Sequence, residues 1–334
     1  MNKSHHLTFL EREQLVISFA KGLSIRESSE KINRNHSCVI KELQRTKTNR
    51  FTYSAILGQE QADLKKRIAR RKSKIESNPL LKKYIHEKLE LRWSPEQIDE
   101  TLKTIYDLDT TMRISHESIY TYLYTLPRGE LRKELISYLR QGAEGRRRRK
   151  RDTDERGKIP NMISIRERPS EVASRTVPGH WESDLVVGKG NKSAIGTLVE
   201  RTTRTTILVK LKAKDAETVR KEFARTVKRL PKEMCKSITH DRGTEMSRHE
   251  LFTEDTKIQV YFADPHAPWQ RGTNENTNGL IRQFFPKKTD FNTVTRKELK
   301  YVQKLLNERP RKVLNWKTPK EVFNKLLTNG SIRV

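Results

Sequence analysis

The sequence predicts a mixed α/β domain in its second half, preceded by an all-α region of helix-turn-helix character. Three observations carry this. Two capping-box spacings near the start, Thr8 with Glu11 and Ser24 with Glu27, each open a short amphipathic segment. A block without apolar residues, Gly145 to Arg151, interrupts the chain before its middle. Beyond Thr176, β-branched alternating segments exchange with runs of helical period.

Taken in order, the first helix starts at Thr8 and carries Leu15 and Phe19, four apart on one face. Lys21-Gly22-Leu23 breaks it, and Ser24 opens a second helix with Ile32 inward. Asn33-Arg34-Asn35 is a second break, ahead of a third helix with Val39, Ile40 and Leu43 inward. Three helices of this length with glycine in a turn form the layout that sets the last helix in a major groove. His36, Ser37, Lys41 and Arg45 are then expected to face DNA. An ordinary three-helix bundle with a solvated polar face is the alternative.

From Phe51 to Arg71 the pattern is helical and basic, with Lys65, Lys66, Arg67, Arg70 and Arg71. Ser94-Pro95-Glu96-Gln97 puts a capping serine before a proline at the first helical position. Ser115 starts another helix with Ile119, Tyr122 and Leu123 inward; a second helix-turn-helix and plain helical packing both fit. The block that follows must be solvated or bound to phosphate, so Arg146, Arg147, Arg148 and Arg149 are expected DNA contacts. The expected domains are a helix-turn-helix unit at 1–50, a basic and helical region at 51–140, a basic linker at 141–172 and an α/β domain at 173–334.

In that last domain, His180 to Gly188 contains a short strand, and Ile195 to Lys212 reads as a hairpin around Arg201-Thr202-Thr203-Arg204. Ala216, Val219, Phe223, Val227 and Leu230 follow at helical spacing, with Asp215 as the expected N-cap. Ser237 to His240 is a brief strand ending on Asp241, and Ile258, Val260 and Phe262 alternate in another. From Asn278 onward the chain is expected to be helical, closing with Pro310 to Phe323. This succession gives a sheet with helices on its faces.

Composition narrows the function. Lys and Arg outnumber Asp and Glu by 70 to 42, a formal charge of +28, which calls for a polyanionic partner, and nucleic acid is the usual one. No apolar stretch approaches the roughly 20 residues that span a bilayer, and residues 1–10 lack the apolar core of a secretory signal, so a cytoplasmic protein is expected. The two cysteines, Cys38 and Cys235, have no paired spacing, which leaves out a disulfide framework and a zinc ribbon.

Phosphodiester cleavage without a covalent intermediate asks for two cations about 3.5–4 Å apart. Hard cations such as Mg²⁺ take oxygen ligands, so a few carboxylates suffice. Asp184 lies inside an apolar strand, where a carboxylate is costly unless paired or bound to metal. Asp241 ends a strand just before Arg242-Gly243, where the chain turns. Glu275 falls in a polar run, Pro268 to Gly279, that leads into a helix. The 33 residues between Asp241 and Glu275 say little alone in a chain with 42 acidic residues; the local contexts say more.

Those contexts are His180-Trp181-Glu182-Ser183-Asp184, His240-Asp241-Arg242-Gly243-Thr244-Glu245, and the run from Pro268-Trp269-Gln270-Arg271-Gly272-Thr273-Asn274-Glu275 to Arg282. With the tail from Asn307 to Pro319 and the segment from Leu7 to Leu43, they make the chain resemble, over nearly its whole length, transposases of the insertion-sequence-thirty family. This family lies within the group of Asp-Asp-Glu transposases and retroviral integrases. The resemblance implies a ribonuclease-H-like catalytic core, with Asp184, Asp241 and Glu275 on the three metal-binding acidic positions. It implies two Mg²⁺ ions, with Mn²⁺ as a substitute. It also implies an N-terminal helix-turn-helix that recognises the element's terminal inverted repeats, and cleavage and strand transfer on double-stranded DNA, often through joined ends. Two ends held together point to a homo-oligomer working at the bacterial nucleoid.

Arg271, Asn274, Asn278 and Arg282 lie within one or two helical turns of Glu275 and are expected to reach DNA backbone. Glu182, on the strand face of Asp184, reads as an auxiliary ligand or a surface ion pair. His240, His266, Asp264 and Glu245 are weighed as minor candidates, and Trp181 and Trp269 as base-stacking or core residues. Two rival readings remain: a non-catalytic DNA-binding regulator derived from a transposase, and a nuclease on the same fold that only hydrolyses.

Overall fold

The structure is a computed structural model that describes residues 6–68, 73–140, 159–265 and 267–328. Arg70, Arg71, Arg146 to Arg149 and His266 lie outside the described residues, as does most of the expected linker. The chain forms two compact units, Met1–Ser77 and Asn78–Val334.

The first unit holds helices α1 (Phe9–Ala20), α2 (Ile25–Lys31), α3 (His36–Thr46), α4 (Ala55–Ile68) and the single turn α5 (Lys74–Ser77). Both expected capping boxes form: Thr8 accepts from Glu11 N and Ser24 from Glu27 N, with each glutamate returning to its cap. The breaks fall at Gly22 and Asn33, which take left-handed backbone conformations at φ 79° and 53°. Leu15, Phe19, Ile32, Val39 and Leu43 form the core with Leu7 and Tyr53. Ile40, expected inward, is exposed instead, one residue around from Val39 on the outer face of α3.

α4 closes this unit, which therefore runs past residue 50. A buried ion pair, Arg12 Nε to Glu42 Oε1 at 2.8 Å, is extended by Arg12 Nη1 donating to Gln59 Oε1 at 2.6 Å. Arg45, expected to face DNA, joins this network: it pairs with Glu42 and donates to Gly58 O at 2.9 Å. The physical reason is the carboxylate of Glu42, which is buried and needs cationic partners more than solvent supplies them.

The second unit opens with α6 (Pro79–Glu90), α7 (Pro95–Ile105), α8 (His116–Thr125) and α9 (Glu130–Tyr138). Ser94 forms the expected capping box with Gln97, and Ser115 caps α8. Ile85, Leu89, Ile98, Leu102, Ile119 and Leu123 are all fully buried here. This helical region docks on the C-terminal segment. Gln97 Nε2 donates to Pro310 O at 2.7 Å, and Lys312 pairs with Glu96 at 2.7 Å.

After the short α10 (Glu171–Ser174) come β1 (His180–Val187), β2 (Ala194–Glu200), β3 (Thr206–Lys210), α11 (Ala216–Val227), β4 (Ser237–His240), α12 (His249–Thr256), β5 (Gln259–Phe262), α13 (Gly272–Ile281), α14 (Arg296–Asn307) and α15 (Pro319–Thr328). The sheet order is β3-β2-β1-β4-β5. β1, β2 and β3 run antiparallel, and β4 and β5 run parallel to β1. This is a ribonuclease-H-like core. Asp215 caps α11 as expected.

Side chains alternate across the sheet. Trp181, Leu198, Val209, Ile238 and Val260 pack with α11 and α12, whereas Val186, Ile195 and Leu208 pack with α13 and α14. Glu182 and Asp184, four and two residues before Val186, therefore share the α13 side. Gly196 lets Phe223 of α11 lie against β2, where a Cβ would meet its ring at 2.1 Å. From Asn278 onward the chain is largely helical, as expected, in three helices separated by breaks. α13 ends at Ile281 and α14 starts at Arg296, because Pro286 cannot continue a helical hydrogen-bond ladder. No described helix is long and apolar enough to cross a membrane.

Candidate active site

Parallel pairing of β1 with β4 sets His180 opposite Ser237 and Glu182 opposite Thr239. Two residues further along each strand stand Asp184 and Asp241, which brings two carboxylates from distant parts of the sequence to one sheet end. Asp184 Oδ1 accepts the N–H of Leu185 and Oδ2 accepts Asn278 Nδ2, both at 2.8 Å. Asp241 Oδ1 accepts Gly243 N at 3.1 Å. Arg271 lies between them: Nη1 is 3.7 Å from Asp184 Oδ2 and Nη2 donates to Asp241 Oδ2 at 3.3 Å. Burial pushes the Asp184 carboxyl above its ordinary range, against the pull of Arg271 and with help from the charge of Asp241.

α13 passes over this end of the sheet and carries Glu275 in its first turn, exposed to solvent. Its start is anchored from below. Glu182, fully buried, accepts Asn274 N at 2.8 Å and pairs with Arg201 Nη1 at 2.5 Å. Thr197 Oγ1 lies 3.0 Å from Asn274 Oδ1, to which it donates, and 3.1 Å from Asp184 O. Glu182 is thus a core ion pair that holds a helix end, not a surface one.

In the protein alone, the four residues expected to reach DNA backbone make contacts within the chain. Arg271 reaches the acids and Ser183 O, Asn274 is fully buried, Asn278 donates to Asp184, and Arg282 Nη2 donates to Val187 O at 2.7 Å. The reason is helical phase. Within α13, positions 274 and 278 lie four apart on the side facing the sheet, with Arg271 and Arg282 flanking its two ends, while Glu275 stands about 100° further round than Asn274. Among the other α13 residues, Asn276 is exposed.

The turn after β4 adds groups weighed only lightly in the sequence. His240 is fully buried, its Nδ1 2.7 Å from Ser183 Oγ and its Nε2 3.3 Å from Asp241 Oδ1 and 3.6 Å from Glu245 Oε1. Burial works against charge on this imidazole, but Glu245 and Asp241 outweigh it and raise its pKa. Asp264 is instead a loop brace, accepting from Gln270 Nε2 and pairing with Arg242 and Arg166. Trp181 is in the core, its Nε1 donating to Met234 O, and Trp269 is 74% exposed. His36 and Lys41 are exposed and Ser37 half-buried on the outward side of α3.

Comparison with known proteins agrees with this arrangement. The integrase core domain family matches residues 175–268, which span β1 to the approach of α13. A transposase for insertion sequence element IS1086 from Cupriavidus metallidurans is 41% identical over 324 residues, 97% of this chain and 96% of the relative. Transposase InsI for insertion sequence element IS30A from Escherichia coli is 44% identical over 96% of this chain and 84% of its own length. A transposase for IS4351 from Bacteroides fragilis is 36% identical over 98% of both chains. An integrase-type core is a polynucleotidyl transferase that works on DNA with divalent metal. With identity this high from end to end, and with the sheet order and the paired aspartates in place, the chain belongs to the insertion-sequence-thirty family of transposases.

Proposed function

We propose that this protein binds the ends of its mobile element and cuts and joins DNA strands at a site where Asp184, Asp241 and Glu275 hold two Mg²⁺ ions. The observation that carries this reading is the pair of aspartates on adjacent parallel strands, Asp184 within β1 and Asp241 just past β4, spanned by one guanidinium, beneath the helix that bears Glu275. The donor set fits a divalent cation: Arg271 already supplies positive charge between the acids, and burial leaves Asp184 undercompensated even so.

Bound cations would activate a water or a DNA 3′-hydroxyl and offset the charge that builds on the scissile phosphate. The chain's own groups set the geometry. Asn278 Nδ2 and the Leu185 N–H fix the two oxygens of Asp184, and the Gly243 N–H fixes one of Asp241. Arg271 offsets part of the charge of both acids in the protein alone. In the first reaction a water oxygen attacks phosphorus and the 3′-oxygen of the element end leaves as a hydroxyl. In the second that hydroxyl attacks a target phosphate, and the target's 3′-oxygen leaves. No protein nucleophile takes part.

DNA ends are read by the outward face of α3, with His36, Ser37 and Lys41, and neutralised further by Arg146 to Arg149. Two ends are held by two or more copies of the chain. The test is strand cleavage and joining by purified protein with Mg²⁺ on a labelled duplex carrying the element end. Glu275→Gln is run beside wild type, with binding measured for both. Metal-dependent nicks and joined strands, lost in the variant while binding persists, are expected. Nicks without joined strands would leave a hydrolytic nuclease, and binding without chemistry in wild type would leave a regulator.

A further inference from the structure

The turn that follows β4 curls back on itself. Asp241 ends the strand, Arg242 and Gly243 reverse the chain, and a single 3-10 turn at Thr244–Met246 returns Glu245 to the level of His240. One ligand atom each of His240, Asp241 and Glu245 lies within 4.8 Å of the others, the one such trio among the described residues. The Glu245 carboxylate rests where a side chain on residue 243 would start: a Cβ there would meet its oxygens at 2.4 Å. Gly243 has an ordinary φ of −75°, so glycine is needed for the carboxylate's position and not for the backbone's shape.

His240 gives the trio its meaning. The ring is fully buried and held through Nδ1 by Ser183 Oγ at 2.7 Å. Its Nε2 points at Asp241 Oδ1 and Glu245 Oε1, yet has hydrogen-bond geometry to neither and no other partner. A buried ring nitrogen left in this way is costly. In the tautomer whose Nδ1–H donates to that hydroxyl, the Nε2 lone pair is free, which is how metal-bound imidazoles are oriented. The turn thus presents one nitrogen and two carboxylates toward a common point.

We propose that His240 Nε2, Asp241 and Glu245 together ligate one divalent cation, so that the ion at Asp241 has a nitrogen ligand and the site favours Mn²⁺ over Mg²⁺. A nitrogen ligand shifts preference from hard Mg²⁺, which wants oxygen, toward transition metals. The inference rests on the functional reading only in taking Asp241 as a metal ligand. It adds two ligands outside the Asp-Asp-Glu set.

The test uses the full-length protein and Mn²⁺ alone, without DNA. Electron paramagnetic resonance counts bound Mn²⁺, and spin-echo modulation detects a directly bound nitrogen. Wild type is expected to bind Mn²⁺ with ¹⁴N modulation that changes to the ¹⁵N pattern when histidine is ¹⁵N-labelled, a control that alters no residue. Glu245→Gln is expected to weaken Mn²⁺ binding about tenfold or more, and His240→Gln to abolish the nitrogen signal. Gly243→Ala, which displaces Glu245, is expected to follow Glu245→Gln. Mn²⁺ bound without nitrogen modulation would leave His240 as a partner of the two acids only, and a nitrogen signal that survives His240→Gln would come from another residue; either outcome overturns the proposal. Unchanged affinity in Glu245→Gln would remove Glu245 from the set. Cleavage and joining in Mg²⁺ without any nitrogen signal would leave the functional reading standing and sink this one; a nitrogen signal without cleavage would do the reverse.

Discussion

Asp184 keeps both oxygens directed because each accepts one donor, Leu185 N–H on its own strand and Asn278 Nδ2 from α13. Removing the second donor frees one oxygen to turn without touching the acid itself. Asn278→Ala is therefore expected to lower cleavage about 10–100-fold at fixed Mg²⁺, the usual effect of losing a group that orients a metal ligand. DNA binding should be unchanged, because Asn278 faces the sheet. Equal cleavage rates in variant and wild type would show that Asp184 needs no such support. At the same scale the sequence was legible in part: the acids stood out by their contexts, but the partners of each did not. Nothing in the order Arg271, Asn274, Asn278 says that Arg271 and Asn278 reach the two aspartates while Asn274 meets Thr197.

Elements are placed by a few buried polar groups. The N-terminal turn of α13 hangs on Glu182, whose other oxygen is matched by Arg201 in a fully buried pair. Glu182→Ala leaves Arg201 buried and unpaired, and about 3–5 kcal/mol of stability is expected to go with it. Urea unfolding measures this; a loss under about 1 kcal/mol would mean that water replaces the carboxylate. In the helical region, Asp99 of α7 accepts the N–H of His116 at 3.0 Å and so holds the start of α8. Burial raises its carboxyl pKa, but His116 and Lys103 together hold it below the ordinary value of 3.8. A lowered folded-state pKa contributes stability that is present above the unfolded value and lost as pH falls through the folded one. The stability gap between wild type and Asp99→Asn should therefore be widest at neutral pH and close below about pH 4. A gap independent of pH would contradict this.

For the whole molecule the dominant quantity is charge, +28 over 334 residues. Each phosphate contact contributes roughly −0.9 to the slope of log affinity against log salt. Changing Arg146, Arg147, Arg148 and Arg149 together to Gln is expected to flatten that slope by up to about 3–4, on specific and random duplexes alike. Fluorescence anisotropy across a salt series measures it. An unaltered slope would mean that this block stays away from the backbone.

Local chemistry was enough for the sequence by itself to determine where helices start and strands run. Capping at Thr8, Ser24, Ser94, Ser115 and Asp215 depends on neighbours three residues away, and strand alternation on neighbours two away. Ile40 and Arg45 went the other way, one outward and one inward, because their neighbours Val39 and Glu42 claimed the core. The acids stood out as candidates for the same local reason. Their meeting did not: Asp184 and Asp241 come together only through the pairing of β1 with β4, and the side of α13 that faces them only through its packing on the sheet. Those are long-range contacts, whose energy comes from surfaces buried between segments far apart in the chain, and no short stretch of sequence contains both halves of them.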